Sequence, residues 1–275
     1  MKRLLLYVHF NKYNRVSSHV YYQLTQMRPL FSKVIFISNS QVSERDHQKL
    51  VNLRLMDNFI QRENIGFDFA AWRDGMTHVS FDDITTYDVV TIMNDTCFGP
   101  LWEIKDYYLK YEADDQVDFW GLTNNRKTKK SRQTQGFPEH IQSYFITFKK
   151  PVIVSLAFRK FWENVKNHTD VQKVINDYET KVTTTFLAAG FRYQTVFDTV
   201  NEDTTDMLHP DFSYYNPTAI LKHKVPFIKV KAIDAHQGIT PYILDEIADK
   251  TNYPIDLIIS HMSEVNFPDF KYLLG

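Results

Sequence analysis

Residues 92–100 read IMNDTCFGP. The apolar run Val89–Met93 delivers Asn94-Asp95-Thr96 and then a Gly-Pro turn. A carboxylate at the end of a buried strand is well placed to hold a hard divalent ion, because Mg2+ is usually bound by one or two carboxylates together with substrate phosphates. Asp95 is the candidate ligand, with Asn94 or Thr96 beside it. The same residues would also form an Asx turn capping the loop. A second acid lies in RENIGFDFAAWRDG, residues 62–75. Gly66 precedes a helical pattern and Asp68 falls in its first turn, where unpaired N–H groups and the positive dipole end suit a phosphate. Arg62 and Arg73 add positive charge nearby; the alternative is a plain turn with Asp68 complementing the dipole. A third acid, Glu179, lies in NDYETKVTTTFLAAG, residues 176–190. On a helical wheel it flanks the apolar face beside Ile175 and Phe186, while Asp177 points to water. A carboxylate at the edge of an apolar surface can have a raised pKa and act as a base. An exposed Glu paired with Lys181 is the other reading.

The elements that must position these groups follow from periodicity. Strand-like runs fall at Leu4–Val8, Val34–Ser38, Asp88–Met93, Val117–Leu122, Gln142–Phe148 and Phe191–Phe197. Helical spacing falls at His19–Met27, at Phe69, Trp72, Met76 and Val79, from Val154 to Val165, and from Val171 to Phe186 with Gly190 behind it. Strands alternating with helices predict an α/β fold with a mostly parallel central sheet, which binds ligands at the carboxyl ends of its strands. From about residue 200 the Pro- and Asp-rich sequence reads as an irregular extension, with one predicted helix at Pro241–Lys250. A single domain over 1–275 is expected: a nucleotide-sugar half to about 120, an acceptor half to about 240, and a C-terminal extension.

Net charge is −1, which argues against nucleic acid as a partner. Cys97 is the sole cysteine, so no intrachain disulfide forms; it reads as a small residue in a reducing compartment or as a catalytic thiol. Leu4–Val8 is too short for a signal-peptide core, and no run reaches membrane-span length. A cytoplasmic protein is expected, or one lying on the inner membrane face. The basic stretch 126–132 would then meet anionic headgroups, unless it is only a solvated loop. The phosphate cradles G-x-x-x-x-G-K-S/T and G-x-G-x-x-G are absent, as are G-x-S-x-G and H-E-x-x-H. In PFIKVK, residues 226–231, Lys229 and Lys231 share one face of an extended segment and would reach phosphates or solvent.

In order along the chain, YVHFN, ENIGFDFAAWRDGM, YDVVTIMNDTCFGP, DFWGLTNN, HIQSYFITFKK, YETKVTTTFLAAGF and PFIKVK resemble the rhamnan synthesis protein F family of bacterial cell-surface polysaccharide assembly. The resemblance implies a GT-A-like (Rossmann-like) glycosyltransferase. Its expected donor is dTDP-β-L-rhamnose and its acceptor a lipid-linked glycan. It implies a divalent cation, Mg2+ or Mn2+, although the usual D-x-D reads Asn94-Asp95-Thr96 here. On this reading Asp95 holds the ion, with His236 as a late ligand. Arg62, Asn64, Gly66, Asp68, Trp72, Asn94 and Lys229 bind the donor, Trp120 and His140 bind the acceptor, and Glu179 is the base of an inverting transfer. Two other readings are a metal-dependent phosphohydrolase using Asp95 with His9 or His236, and a noncatalytic glycan-binding module suggested by the aromatic richness.

Overall fold

The computed structural model describes residues 1–129, 136–201, 211–235 and 237–265. Its first part alternates β1 (Arg3–His9), α1 (Ser18–Met27), β2 (Lys33–Ser38), α2 (Glu44–Asn52), β3 (Asn58–Gln61), α3 (Phe67–Val79) and β4 (Val89–Asn94). β1 and β4 are buried along almost their whole length, as strands covered on both faces must be. The order β3-β2-β1-β4 is parallel throughout. β3 escapes sequence reading because it is only four residues long and is half-exposed at the sheet edge.

The chain continues through β5 (Cys97–Phe98), α4 (Ile104–Ala113), β6 (Phe119–Asn125), β7 (His140–Ile141) and β8 (Phe145–Lys149). Then follow α5 (Leu156–Glu163), α6 (Val171–Val174), α7 (Thr180–Ala188) and β9 (Tyr193–Phe197). β8 runs antiparallel between β4 and β6, while β9 pairs parallel and β7 antiparallel with β6. The result is one mixed, mostly parallel sheet of eight strands flanked by helices.

Alternating side chains send the strands' apolar groups to both faces. Leu5 and Tyr7 join Val20, Leu24 and Tyr108 in one core cluster. Leu4, Leu6 and Val8 join Trp72, Phe158 and Phe186 in another. α3 packs so closely on the sheet that a Cβ at Gly75 would lie 2.6 Å from Ile37 Cδ1. The helix expected over 171–186 is interrupted by a π turn, Ile175–Glu179, between α6 and α7. π turns are rare, and many sit at functional sites.

Past residue 211 helices appear where irregular chain was expected. Asn216 caps Pro217–Lys222, its side chain accepting from Ala219 N–H at 3.2 Å, and Pro217 takes the first helical position. The Asn-Pro pair that reads as a loop former is here a helix start. β10 (Ile228–Lys229) pairs with β5 and gives way at once to helix Val230–Ala235. Lys229 and Lys231 therefore do not share an extended face. α8 (Thr240–Lys250) and α9 (Asp256–Val265) complete the described chain. Among the described residues no helix is long and apolar enough to cross a membrane.

Candidate active site

Four parallel strands end on one rim of the sheet, where open α/β sheets bind ligands. A cavity of about 640 Å³ opens there among the exits of β1, β2 and β3, lined by Asn11, Lys12, Asn39, Ser40, Arg62 and Asn64 among others. A second, of about 270 Å³, shares Phe10, Asn11 and Lys12 with it and is also lined by Asp95, His19, Lys231 and His261.

Segments far apart in sequence bring the three acids onto this rim. Asn94 ends β4, and its Nδ2 donates to Asp68 Oδ2 at 2.7 Å while its Oδ1 accepts from Thr96 Oγ1 at 2.7 Å. Its backbone N–H donates to Tyr144 O at 3.2 Å. Ser143, next to Tyr144, donates from Oγ to Glu179 Oε1 at 3.0 Å. Asp95 follows Asn94, its N–H bonded to Val8 O at 3.1 Å and its Oδ2 accepting from Phe10 N–H at 3.1 Å.

Burial pushes Asp95 up to about 8; the charge of Asp68 adds to this, and Phe10 N–H offsets it only in part. Burial likewise pushes Asp68 up to about 6, with Glu179 adding to it and the Asn94 amide and Arg62 opposing. Buried carboxylates whose pKa is raised further by a neighbouring acid stand where positive charge is short. Oxygen donors of this kind suit Mg2+ or Mn2+. Among the described residues no three His, Cys, Asp or Glu side chains group as a metal site.

The histidines here are neutral. Burial pushes His9 down to about 4, and its ring nitrogens meet Ser38 Oγ at 2.9 Å and Arg15 O at 3.1 Å. It thus makes no ion pair with Asp95, 3.8 Å away, and is already committed to the scaffold. Burial pushes His19 to about 3. Its Nε2 faces Asp95 O at 3.4 Å, and its Nδ1 has no hydrogen-bond partner among the described residues. The His261 ring stands edge-on to it with centroids 4.4 Å apart.

Several expected ligand residues are structural instead. Trp72 is fully buried in the core and donates from Nε1 to Met93 O at 3.2 Å. Trp120 is equally buried and stacked on Tyr111 with centroids 4.6 Å apart, so neither indole can lie against a sugar. His140 is buried with its ring nitrogens near Pro138 O at 2.7 Å and Asn125 Nδ2 at 3.3 Å; it braces β7 on β6. Arg62 borders the larger cavity, but its guanidinium donates to Asp74, Asn39 and Ile65 O, clamping the 62–67 turn. Gly66 gives its N–H to His168 O at 2.7 Å. Its φ is 73°, and any Cβ at this position would lie 2.4 Å from Ala70 Cβ, so the turn itself demands glycine. Lys229 is paired with Asp211 at 3.4 Å, and it is Lys231 that lines the cavity. Cys97 is buried and its thiol pushed up to about 12 by that burial, so it is no nucleophile. His236 and residues 130–132 of the basic stretch lie outside the described residues, and Arg126 is tied to Thr199 O.

Asn39, Ser143, His19 and His261 had no place among the expected site residues, and Lys231 was expected only to reach phosphates or solvent beside Lys229. Asn39 had a usable signal: it follows Val34–Ser38 directly, the same position at a strand exit that singles out Asp95. His261 had none, since only packing of α9 brings it to the rim.

The fold is that of a mixed α/β protein with a cleft at the carboxyl rim of its sheet and Asp95 in the wall of that cleft. The model of the rhamnan synthesis protein F family matches residues 34–275, and the chain belongs to that family. It is 29% identical over 177 residues to the uncharacterized protein y4gN of Sinorhizobium fredii, covering 62% of this chain and 43% of that one. It is 27% identical over 139 residues to virulence protein VirA of Vibrio anguillarum, covering 50% and 41%. The match thus spans less than half of either relative's length. Among solved structures it is similar to the mannosyltransferase PcManGT from Pyrobaculum calidifontis in complex with GDP-Man and Mn2+, at TM-score 0.45, 12% identity and coverage of 99% and 78%. Another is a putative nucleotide-diphospho-sugar transferase from Desulfovibrio desulfuricans, at TM-score 0.39, 14% identity and coverage of 81% and 95%.

Proposed function

We propose that the protein is an inverting glycosyltransferase of the GT-A type, moving L-rhamnose from dTDP-β-L-rhamnose to a lipid-linked precursor of a cell-surface polysaccharide. Membership of the rhamnan synthesis protein F family supports the sugar and the pathway class. The observation that supports the reading is Asp95 in the wall of the smaller cavity, with Asp68 held by the neighbouring Asn94 and Glu179 near enough to raise the pKa of Asp68.

In this reading the nucleoside lies in the larger cavity, bordered by Asn39 and Asn64. The diphosphate lies by Asp95, with Lys12 and Lys231 supplying the charge once expected of Arg62 and Lys229. A divalent ion held by Asp95 would neutralise the departing diphosphate. Asp68, fixed by Asn94, faces the donor sugar. Glu179, oriented by Ser143, takes the proton of the acceptor hydroxyl on the side opposite the leaving group. Residues to about 120 form the donor half, those to about 240 the acceptor half, and α9 of the remainder packs against α1. The protein works at the inner membrane face, where the exposed Lys127 and Lys129 would meet anionic headgroups.

Thermal melts with dTDP, UDP and GDP, each with and without Mn2+ or Mg2+, test this. A nucleoside diphosphate at 100 times its Kd should add about 2.7 kcal/mol of stability, and the gain should need the ion. Absence of any nucleotide-dependent shift would remove the reading.

A further inference from the structure

A third cavity, of about 470 Å³, lies away from the acids, between α1, the chain entering α4, and the end of α8. Its walls are of two kinds. Trp102 and Tyr22 are half-buried rings, each packed on the core on one side and bordering the cavity on the other. Tyr22 is held by Tyr253, edge-to-face with centroids 5.0 Å apart. Around them stand Gln26, Glu103, Asp249 and Asn252, all exposed. Flat rings with an apolar face, ringed by amides and carboxylates, match a sugar, which offers C–H faces to the rings and hydroxyls to the rim.

Trp102 differs from the other tryptophans of the chain. Trp72, Trp120 and Trp162 are fully buried, while Trp102 alone keeps exposed surface. The sole indole able to stack on a ligand therefore borders this cavity. α1 also links it to the rim: His19 lines the cavity beside Asp95, and Tyr22 and Gln26 follow three and seven residues later. At a rise of about 1.5 Å per residue, that is a separation of roughly 5–10 Å along the helix.

We infer that this cavity is a carbohydrate-binding subsite, holding by stacking on Trp102 and Tyr22 a stretch of the glycan acceptor distant from the reacting end. Its role in transfer rests on the glycosyltransferase reading above; sugar binding at Trp102 does not.

The test uses the whole chain and tryptophan fluorescence with acrylamide quenching, because Trp102 is the indole a quencher can reach. Titration with a rhamnose tetrasaccharide should shield it saturably, and dTDP should not compete. Asp249→Asn and Tyr22→Ala should weaken the response at least tenfold and leave the dTDP-dependent melting shift unchanged. Asp249 is exposed, so its variant tests the site without disturbing the core. Trp102→Phe should abolish the shielding signal. In transfer assays the two variants should raise KM for long acceptors, with kcat and short acceptors unaffected. Absence of shielding, shielding competed by dTDP, or shielding that survives both variants would overturn the subsite. Shielding in a protein that shows neither nucleotide binding nor transfer would leave the subsite standing and remove the transferase reading.

Discussion

The two halves of the rim treat their polar groups in opposite ways. At the exits of β1, β2 and β4, Asn39 Nδ2 and His19 Nδ1 are buried without hydrogen-bond partners among the described residues, and Asp68 and Asp95 are pushed up by burial, with the charge of Glu179 adding at Asp68 and that of Asp68 at Asp95. Around β6, β7 and β8 the polar side chains at the rim bond one another, although Trp120 Nε1 lower on β6 is buried without a hydrogen-bond partner among the described residues. Gln142 Nε2 donates to Asn125 Oδ1 at 2.6 Å and Asp211 Oδ1 at 2.7 Å, and Ser213 and Lys229 also bond Asp211. Burial alone would raise the pKa of Asp211, but Lys229, Ser213 and Gln142 outweigh it and hold the carboxyl below its usual range. Unpaired buried polar groups are costly. On the proposed reading a charged ligand completes the parallel half, whereas the antiparallel half already pairs its buried carboxylate, Asp211, within the chain.

Glu179 crosses that division, since it hangs from the scaffold through Ser143 yet adds to the charge around Asp68. Glu179→Gln should lower kcat on the order of 10³-fold, as removal of a general base does, while the dTDP-dependent melting shift persists. Near-normal turnover in that variant would detach the base role from this residue. Asp211→Ala should act in the reverse sense. It leaves the amide of Gln142 and the ammonium of Lys229 without their carboxylate, and should cost about 2 kcal/mol of stability. Nucleotide affinity should stay the same; a loss there would mean that the scaffold half also binds the donor.

Much of the first half could be read from the sequence, because buried parallel strands are continuous apolar runs: Leu4–Val8 appears as Arg3–His9, and Val34–Ser38 as Lys33–Ser38. The acids at strand and helix ends were legible for the same reason, since their positions follow from where those elements stop. What stayed hidden is set by packing. Trp72 and Trp120 carry the chemistry of sugar platforms, and only the tertiary fold buries them. The wheel that put Glu179 on a helix flank assumed regular α geometry, whereas a π turn presents the residue. Lys229 and Lys231 looked equivalent until the strand ended between them.

The pH dependence of stability sharpens the same contrast. Asp95 has a raised folded pKa, so its stabilising contribution is complete below about pH 3.8 and is lost as pH rises toward 8. Asp211 has a lowered one, so its contribution is present at neutral pH and is lost only as pH falls below the ordinary carboxylate range. Asp95→Asn should therefore stabilise the ligand-free protein by on the order of 1 kcal/mol at pH 8 and flatten the melting profile between pH 4 and 8. The same variant should lose the extra stabilisation that Mn2+ or Mg2+ gives with dTDP. An unchanged profile would mean that Asp95 is not the strained acid of the rim.

The smallest expected effect belongs to Asn39. Arg62 donates to Asn39 Oδ1 at 2.7 Å, and because a guanidinium can only donate, the amide is fixed with its Nδ2 as the remaining donor. That donor is buried, has no hydrogen-bond partner among the described residues, and belongs to a residue lining the larger cavity. A carbonyl oxygen of a nucleobase would satisfy it. Asn39→Ala should weaken dTDP binding by about 1 kcal/mol, roughly five- to tenfold, measured by calorimetric titration. Arg62 keeps Asp74 and Ile65 O as partners, so the turn it clamps should hold. Pyrophosphate, which has no base, separates the two possible causes: its affinity should not change if Asn39 meets the base. An equal loss for both ligands would place the effect on the diphosphate side of the rim, and the larger cavity would no longer be the nucleoside's.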